Sequence, residues 1–137
     1  MTDSNSTDGL ESKTFTGGCH CQAIRFQVIV RKFQAVDCNC SICSKKGFLH
    51  LIVPPEDFEL LQGEGHLATY TFNTGIAKHY FCKTCGVHSF YRPRSHPNDY
   101  DVNLRCLDNW WQPEVQIQFE IKPFDGQNWE QRVDSIS

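Results

Sequence analysis

The chain carries eight cysteines, and seven of them lie in short clusters. The clusters follow the patterns C-x-C, C-x-C-x2-C and C-x2-C, with one cysteine left over. In order, the cysteines are Cys19, Cys21, Cys38, Cys40, Cys43, Cys82, Cys85 and Cys106. Such close spacing favours zinc, because thiolates must converge on a point about 2.3 Å from each sulfur. Disulfides are the competing interpretation, but the N-terminus lacks the basic and apolar segments of a secretory signal. We therefore expect reduced cysteines, bound zinc and a cytoplasmic protein.

The two cysteine pairs have spacings suited to a closed structural site. Residues i and i+2 of an extended chain point to the same face, so Cys19 and Cys21 can place their sulfurs side by side. Cys82 and Cys85 lie in a predicted turn, where Gly86 can take a positive φ and free backbone N–H groups to donate to the thiolates. Two such pairs make a four-sulfur site, although spacing alone does not establish that these two join.

The middle cluster offers three thiolates, from Cys38, Cys40 and Cys43, within six residues. Three protein ligands with an open fourth position are typical of catalytic zinc. The alternative is a second closed site in which Cys106 is the fourth ligand. The number of cysteines alone leaves both divisions possible.

Strand signals dominate the segments that must position these cysteines. Alternation of apolar and polar residues predicts strands over 24–30, 67–72 and 115–121, the last being the clearest. An apolar strand over 48–53 ends at two prolines. Further segments are predicted as a hairpin over 78–82 and 87–91, a weaker strand over 100–105, and short helical turns at 40–46, 55–58 and 129–133.

The length and net charge of the chain limit the classes of function that it can have. A chain of 137 residues suits one domain with one core, here residues 14–137 after a polar, disordered tail at 1–13. The net charge of −3 gives no general attraction for nucleic acid, so a nucleic-acid partner is not expected. The longest apolar runs are far shorter than the roughly 20 residues that span a bilayer, so no membrane span is expected. The oligomeric state is not predicted.

Four segments of the sequence resemble a known family. They are GGCHCQAIRFQV, DCNCSICSKKGFLHLIVP, TYTFNTGIAKHYFCKTCGVHSFYRPRS and CLD. In order and spacing they are similar to the glutathione-dependent formaldehyde-activating enzyme and centromere protein V family. The strings TYTFNT and SFYRPRS are more similar to the centromere protein V branch, although the long basic, proline-rich N-terminal region of that protein has no counterpart here.

The resemblance implies a mainly-β, Mss4-like fold with two zinc ions per chain. It implies a structural zinc on the two pairs, Cys19, Cys21, Cys82 and Cys85. It also implies a second zinc on Cys38, Cys40 and Cys43 with an exchangeable fourth ligand, which leaves Cys106 as a free thiol or core residue. The implied activity is carbon–sulfur lyase chemistry that joins glutathione to formaldehyde or cleaves the adduct, so the expected partners are a small thiol and a small aldehyde.

Several residues are candidates for roles around that chemistry. Lys45 and Lys46 follow the three-cysteine cluster and can offset its negative charge. His50 and His88 are candidate proton donors or acceptors. Arg92 and Arg94 are candidate ligands of the glutathione carboxylates, because the guanidinium group matches a carboxylate with two hydrogen bonds.

Three functions therefore remain in competition. The first is a zinc-dependent carbon–sulfur lyase that acts on a glutathione–aldehyde adduct. The second is a non-catalytic binding or scaffold module with two zinc ions. The third is a zinc enzyme with another thiol or aldehyde substrate. An exchangeable ligand at the second zinc favours an enzyme, and a fourth protein ligand favours a scaffold.

Overall fold

The computed structural model describes residues 11–72 and 75–125, and these contain ten strands and two short α-helices. In chain order the strands are β1 (Lys13–Gly18), β2 (Arg25–Val30), β3 (Gln34–Cys38), β4 (Leu49–Val53), β5 (Phe58–Gln62), β6 (Leu67–Tyr70), β7 (Lys78–Cys82), β8 (Phe90–Arg92), β9 (Tyr100–Asn103) and β10 (Glu120–Phe124). The helices are α1 (Ser41–Lys46) and α2 (Pro113–Gln116).

The strands form two sheets. One has three strands in the order β1-β2-β5, and the other has seven in the order β10-β3-β4-β9-β8-β7-β6. Neighbouring strands are antiparallel except β10 and β3, which run parallel. The predicted class, a mainly-β single domain with short helical segments, is confirmed.

Aromatic side chains pack the two sheets together. The ring of Phe58 on β5 lies 4.8 Å from that of Phe90 and 4.4 Å from that of Tyr100, both on the larger sheet. A second group, Phe15, Phe33 and Phe119, brings β1 against the segment that precedes β10, with ring centroids 5.0–6.4 Å apart. Burial of this apolar surface is the main favourable term that holds the sheets together.

One line of side chains across the larger sheet is important for the site. Tyr70 pairs with His79, His79 with Tyr91, and Tyr91 with Asp101, on the adjacent strands β6, β7, β8 and β9. Directly paired residues of antiparallel strands place their side chains on the same face. We call these four residues the transverse row. Tyr70 is half exposed, whereas the other three are buried.

Most of the predicted elements are present, but the clearest predicted strand, over 115–121, is wrong except for its last two residues, which begin β10. Strands β2, β4, β6 and β7 lie within or close to the predicted segments, and α1 lies within the predicted helical turn at 40–46. In the segment 115–121, Pro113 begins α2, Val115 and Phe119 are buried, and Ile117 is 83% exposed. Buried positions four residues apart are typical of a helical turn. A strict alternation of apolar residues also includes pairs four residues apart, so it fits a helical turn as well as a strand.

Two other predictions concern the ends of the chain. The predicted helical turn at 129–133 and residues 1–10 of the predicted tail lie outside the described residues. The tail was predicted to extend to residue 13, whereas Lys13 is already the first residue of β1. Across the described ranges, none of the helices has the length and apolar character needed to cross a bilayer.

Gly17 should be intolerant of a side chain, because β1 approaches the segment 104–108 closely there. A Cβ at this position would lie 2.4 Å from the carbonyl oxygen of Cys106 and 2.7 Å from the Phe26 ring. We expect Gly17→Ala to lower the free energy of unfolding by about 1–3 kcal/mol, the usual cost of overpacking. Gly65→Ala is the matched control, because a Cβ there meets nothing within 4 Å. Denaturant titration of both variants tests this, and equal stabilities would contradict it.

Candidate metal centres and the adjoining groove

The two cysteine pairs converge on one point. The sulfurs of Cys19, Cys21, Cys82 and Cys85 lie within 4.8 Å of one another, and we call this group cluster A. The sulfur of Cys21 is 3.7 Å from that of Cys19 and 3.6 Å from that of Cys82. Four sulfurs placed 2.3 Å from a tetrahedral zinc would be about 3.8 Å apart. The donor set and its spacing therefore fit a four-thiolate zinc site.

Two tight turns present these sulfurs. After Cys19 the chain turns through Gln22, which has a φ of 75°, and the backbone N–H of Ile24 donates to the Cys19 sulfur at 3.3 Å. After Cys82 the turn passes through Gly86, at a φ of 77°, and the N–H of Thr84 donates to the Cys82 sulfur at 3.4 Å. The predicted positive φ at Gly86 and donation of backbone N–H groups to a thiolate of this turn are both present.

Backbone N–H groups also favour the thiolate form within cluster A. Burial opposes ionisation of Cys85, but hydrogen bonds from the N–H groups of Cys21 and Val87 lower its pKa to about 6. The pKa of Cys82 is likewise lowered, since donors from Cys85 and Thr84 outweigh the effect of burial. A cluster that already stabilises thiolates is suited to a cation.

The second group, cluster B, consists of Cys38, Cys40 and Cys43 at the junction of β3 and α1. Cys38 ends β3, and Cys40 is the N-cap of α1, where its sulfur accepts from the N–H of Cys43 at 3.3 Å. Among the described residues, no other cysteine, histidine, aspartate or glutamate belongs to this group. Cluster B therefore has the donor set of a three-thiolate site.

Contact between the three sulfurs concentrates negative charge in cluster B. Hydrogen bonds from the thiols of Cys38 and Cys43 lower the pKa of Cys40 to about 2. Contact with Cys38 and Cys40, together with burial, raises the pKa of Cys43. Cys40 is therefore the member of the cluster that most favours the thiolate form, and any thiol that remains must lose its proton before all three sulfurs can bind a metal.

Cys106, the alternative fourth ligand, belongs to neither cluster. Its thiol lies 3.6 Å from the carbonyl oxygen of His88, and burial raises its pKa to about 11. The charges of Cys19 and Cys85, which are in cluster A, also raise the pKa of Cys106. The structure places it away from the position that a second four-cysteine site requires.

Lys46 is held in the space between α1 and the transverse row. Its ammonium nitrogen lies 4.5 Å from the ring centroid of Tyr91, 4.6 Å from that of Phe48 and 3.2 Å from Nδ1 of His79. Burial lowers the pKa of this lysine, and the charges of Cys43, Asp101 and Cys40 act in the opposite direction. The neighbouring Lys45 is exposed.

His50 and Asp101 form a buried pair next to Tyr91. Nδ1 of His50 is 2.7 Å from the Asp101 carboxylate and 3.4 Å from the Tyr91 hydroxyl, and both members of the pair are at least 95% buried. Nε2 of His50 is buried and has no partner among the described residues. Burial raises the pKa of Tyr91, and the negative charges of Asp101 and of all three cluster B cysteines add to that shift.

An open groove of about 770 Å³ runs between α1 and the segment that follows Cys85. Its lining includes Lys45, Lys46 and His88, together with several apolar side chains. Burial, followed by the charge of Lys46, lowers the pKa of His88 to about 4, and the same causes in the same order lower that of His79 to about 4. Both rings are therefore neutral near pH 7.

The two predicted arginines lie elsewhere. Arg92 donates to the Tyr100 hydroxyl at 2.6 Å and its guanidinium carbon lies 4.2 Å from the centre of that ring. Neither Arg92 nor Arg94 lines the groove, so a role in binding glutathione carboxylates stays a prediction.

Sequence reasoning missed Asp101, Tyr91 and His79 as members of the site. A signal was present, since an aspartate and a histidine inside predicted strands are unusual in a core. Their importance depends on which strands pair, and the alternation of residues along one strand does not reveal its neighbours.

Comparison with known proteins gives a consistent result. Residues 14–122 match the family model described as glutathione-dependent formaldehyde-activating enzyme. A Penicillium rubens protein, provisionally named a glutathione-dependent formaldehyde-activating enzyme, is 31% identical over 127 residues. That alignment covers 83% of this chain and 65% of the Penicillium protein, so the chain spans slightly less than two thirds of that relative.

A solved structure is also similar. The crystal structure of a Rhodobacter sphaeroides protein aligns with a TM-score of 0.69 and 32% sequence identity. The alignment covers 79% of this chain and 98% of the Rhodobacter chain.

The two clusters should respond differently to loss of a thiolate. We expect Cys82→Ser to leave the chain largely unfolded, because structural zinc contributes about 10 kcal/mol or more, comparable to the entire stability of a domain. We expect Cys40→Ser to stay folded with about one zinc per chain, since cluster B closes only a six-residue segment. Circular dichroism and metal analysis of both variants test this. A stable Cys82→Ser protein, or an unfolded Cys40→Ser protein, would contradict the assignment.

Proposed function

We propose that this chain, which belongs to the glutathione-dependent formaldehyde-activating enzyme family, is a carbon–sulfur lyase. Its proposed substrate is the adduct of a thiol such as glutathione with formaldehyde. The observation that carries the proposal is cluster B. It offers three thiol groups and no fourth ligand among the described residues, and a half-buried lysine and a buried histidine–aspartate pair lie close by. A closed structural site needs neither of those.

Zinc is the metal that we propose for both clusters, one ion in each. Zinc held by three thiolates would supply a Lewis acid with one free coordination position, at which a thiol loses its proton. We further propose a reducing compartment such as the cytoplasm, which would keep the thiols available. We also propose, from the strings TYTFNT and SFYRPRS, that the chain is more similar to the centromere protein V branch of the family.

Lys46 would balance charge in this site. Three thiolates on a divalent cation leave a charge of −1, and a fourth thiolate makes it −2. The Lys46 ammonium is desolvated against the Phe48 and Tyr91 rings and experiences the charges of Cys40 and Cys43. In such an environment one positive charge stabilises an incoming thiolate much more than it would in water.

His50 would move the proton. Addition of sulfur to formaldehyde forms one C–S bond and turns the carbonyl oxygen into an alkoxide, which must gain the proton that the thiol lost. The Asp101 carboxylate accepts from Nδ1 of His50 at 2.7 Å and so fixes the tautomer, which leaves Nε2 to take up and return that proton. The reverse sequence cleaves the adduct.

A thiol should bind at cluster B, and acid should weaken that binding. Cobalt in place of zinc would report this, because its thiolate absorption bands change when a sulfur ligand is added. We expect the spectrum to respond to glutathione and the apparent Kd to rise about tenfold per pH unit below the free thiol pKa of about 8.5, because the thiol must lose its proton.

The same titration on Cys106→Ser is the control. An unchanged response in that variant is expected, because the Cys106 thiol contacts His88 and is not part of cluster B. A response seen in Cys106→Ser but absent in the parent would make Cys106 the fourth ligand. If neither protein responds, the lyase proposal fails and a non-catalytic two-zinc module takes its place.

Adjacent lysines on α1 allow a matched test of charge balance. We expect Lys46→Met to weaken glutathione binding by at least about tenfold, because a desolvated charge next to the thiolates is lost. Lys45→Met should change binding by less than about twofold, because its ammonium is exposed and screened. Calorimetric titration measures both variants, and equal effects would show that Lys46 has no special role.

A further inference from the structure

The groove beside α1 joins the surroundings of the two clusters. Helix α1 carries Cys43 and contributes Ile42 and Lys46 to the groove, and the opposite wall includes Val87 and His88, which follow Cys85. With about 770 Å³, the groove falls within the range of sites that take ligands of drug-like size.

The wall of this groove is largely apolar and aromatic. It is formed by Ile42, Tyr70, Phe72, Phe81 and Val87. The rings of Tyr70 and Phe72 stack at 5.7 Å, yet Tyr70 is 51% exposed and Phe72 is 38% exposed. Exposed aromatic surface costs free energy in water, and a concave patch of it indicates a binding site.

The same rings lead inward to Lys46. Phe72 stacks on His79 at 5.5 Å, and His79 stacks on Tyr91 at 4.7 Å with an interplanar angle of 12°. Lys46 contacts both His79 and Tyr91. A planar group that enters along this stack therefore approaches the end of the groove at which the Lys46 ammonium lies.

Glutathione and formaldehyde do not account for such a wall. Glutathione has two carboxylates, two peptide bonds and no aromatic or branched aliphatic side chain, and formaldehyde has no carbon substituent at all. We infer that the groove binds the aromatic ring of an aryl aldehyde, taken as its adduct with a thiol. This inference rests on the proposed function and extends its substrate class from formaldehyde to a larger, aromatic aldehyde at the same site.

The chemistry is unchanged by the ring. The thiol sulfur bonds to the carbonyl carbon, the π electrons move to the carbonyl oxygen, and the proton released by the thiol ends on that oxygen. The product is a hemithioacetal with an aryl group on its carbon. No oxidant or reductant takes part, and the reverse reaction returns the thiol and the aldehyde.

Two stable thioethers test the inference on the zinc-loaded full chain. S-benzylglutathione represents the aryl adduct, and S-methylglutathione represents the formaldehyde adduct. By isothermal titration calorimetry we expect S-benzylglutathione to bind at least about tenfold more tightly, because a phenyl ring is removed from water. The double variant Tyr70→Ala/Phe72→Ala should reduce this preference to about twofold and leave the affinity for S-methylglutathione unchanged. Trp111→Ala is the control, since Trp111 is an exposed aromatic residue that does not line the groove.

Equal affinities of the parent for the two thioethers would overturn the inference, and so would a preference that survives in the double variant. The cobalt titration with glutathione separates this failure from that of the proposed function. A cobalt spectrum that responds to glutathione, combined with equal thioether affinities, would reject the aryl substrate and retain the lyase. Absence of the cobalt response together with absence of thioether binding would reject both.

Discussion

Four sulfur atoms from distant parts of the chain lie within 4.8 Å of one another, and the arrangement of both sheets depends on what holds them there. As thiolates they repel one another, and as thiols they gain little from contact, so a bound cation would supply the attraction. Cys21 and Cys82 are 61 positions apart, and the chain between them includes β2 to β6 and all of cluster B. Metal binding at cluster A would therefore be coupled to folding of most of the domain.

The two clusters differ in the length of chain that each one closes, and we expect them to differ in their contribution to the fold. Cluster A joins the turn after β1 to the turn after β7, whereas cluster B is local to the β3–α1 junction and contributes little to long-range order. This division would allow cluster B to exchange a metal ligand without loss of the fold. The surroundings of cluster B are consistent with this division, because the half-buried Lys46, the buried Asp101 carboxylate and the buried His50 ring lie near it.

Spacing along the chain predicts local features well and pairings between segments poorly. The thiol spacings predicted two cysteine pairs and a group of three, but they did not establish that the two pairs join as cluster A. Gly86 was correctly expected at a positive φ. The segment 115–121 was misassigned because its apolar residues fit both a strand and a helical turn, and only packing of Val115 and Phe119 decides between them. The transverse row could not be predicted, since it arises from the register of four strands.

The parallel pairing of β10 with β3 has a consequence for synthesis on the ribosome. The backbone N–H of Asn39, between two cysteines of cluster B, donates to the carbonyl oxygen of Phe124, and the Phe124 ring packs against Cys38 and Cys43. The last cysteine of cluster A is translated 39 residues before Phe124, about 2–8 s earlier at usual elongation rates. All four cysteines of cluster A are thus in the nascent chain before the residue that packs against cluster B has been added, so the surroundings of cluster B would be completed last.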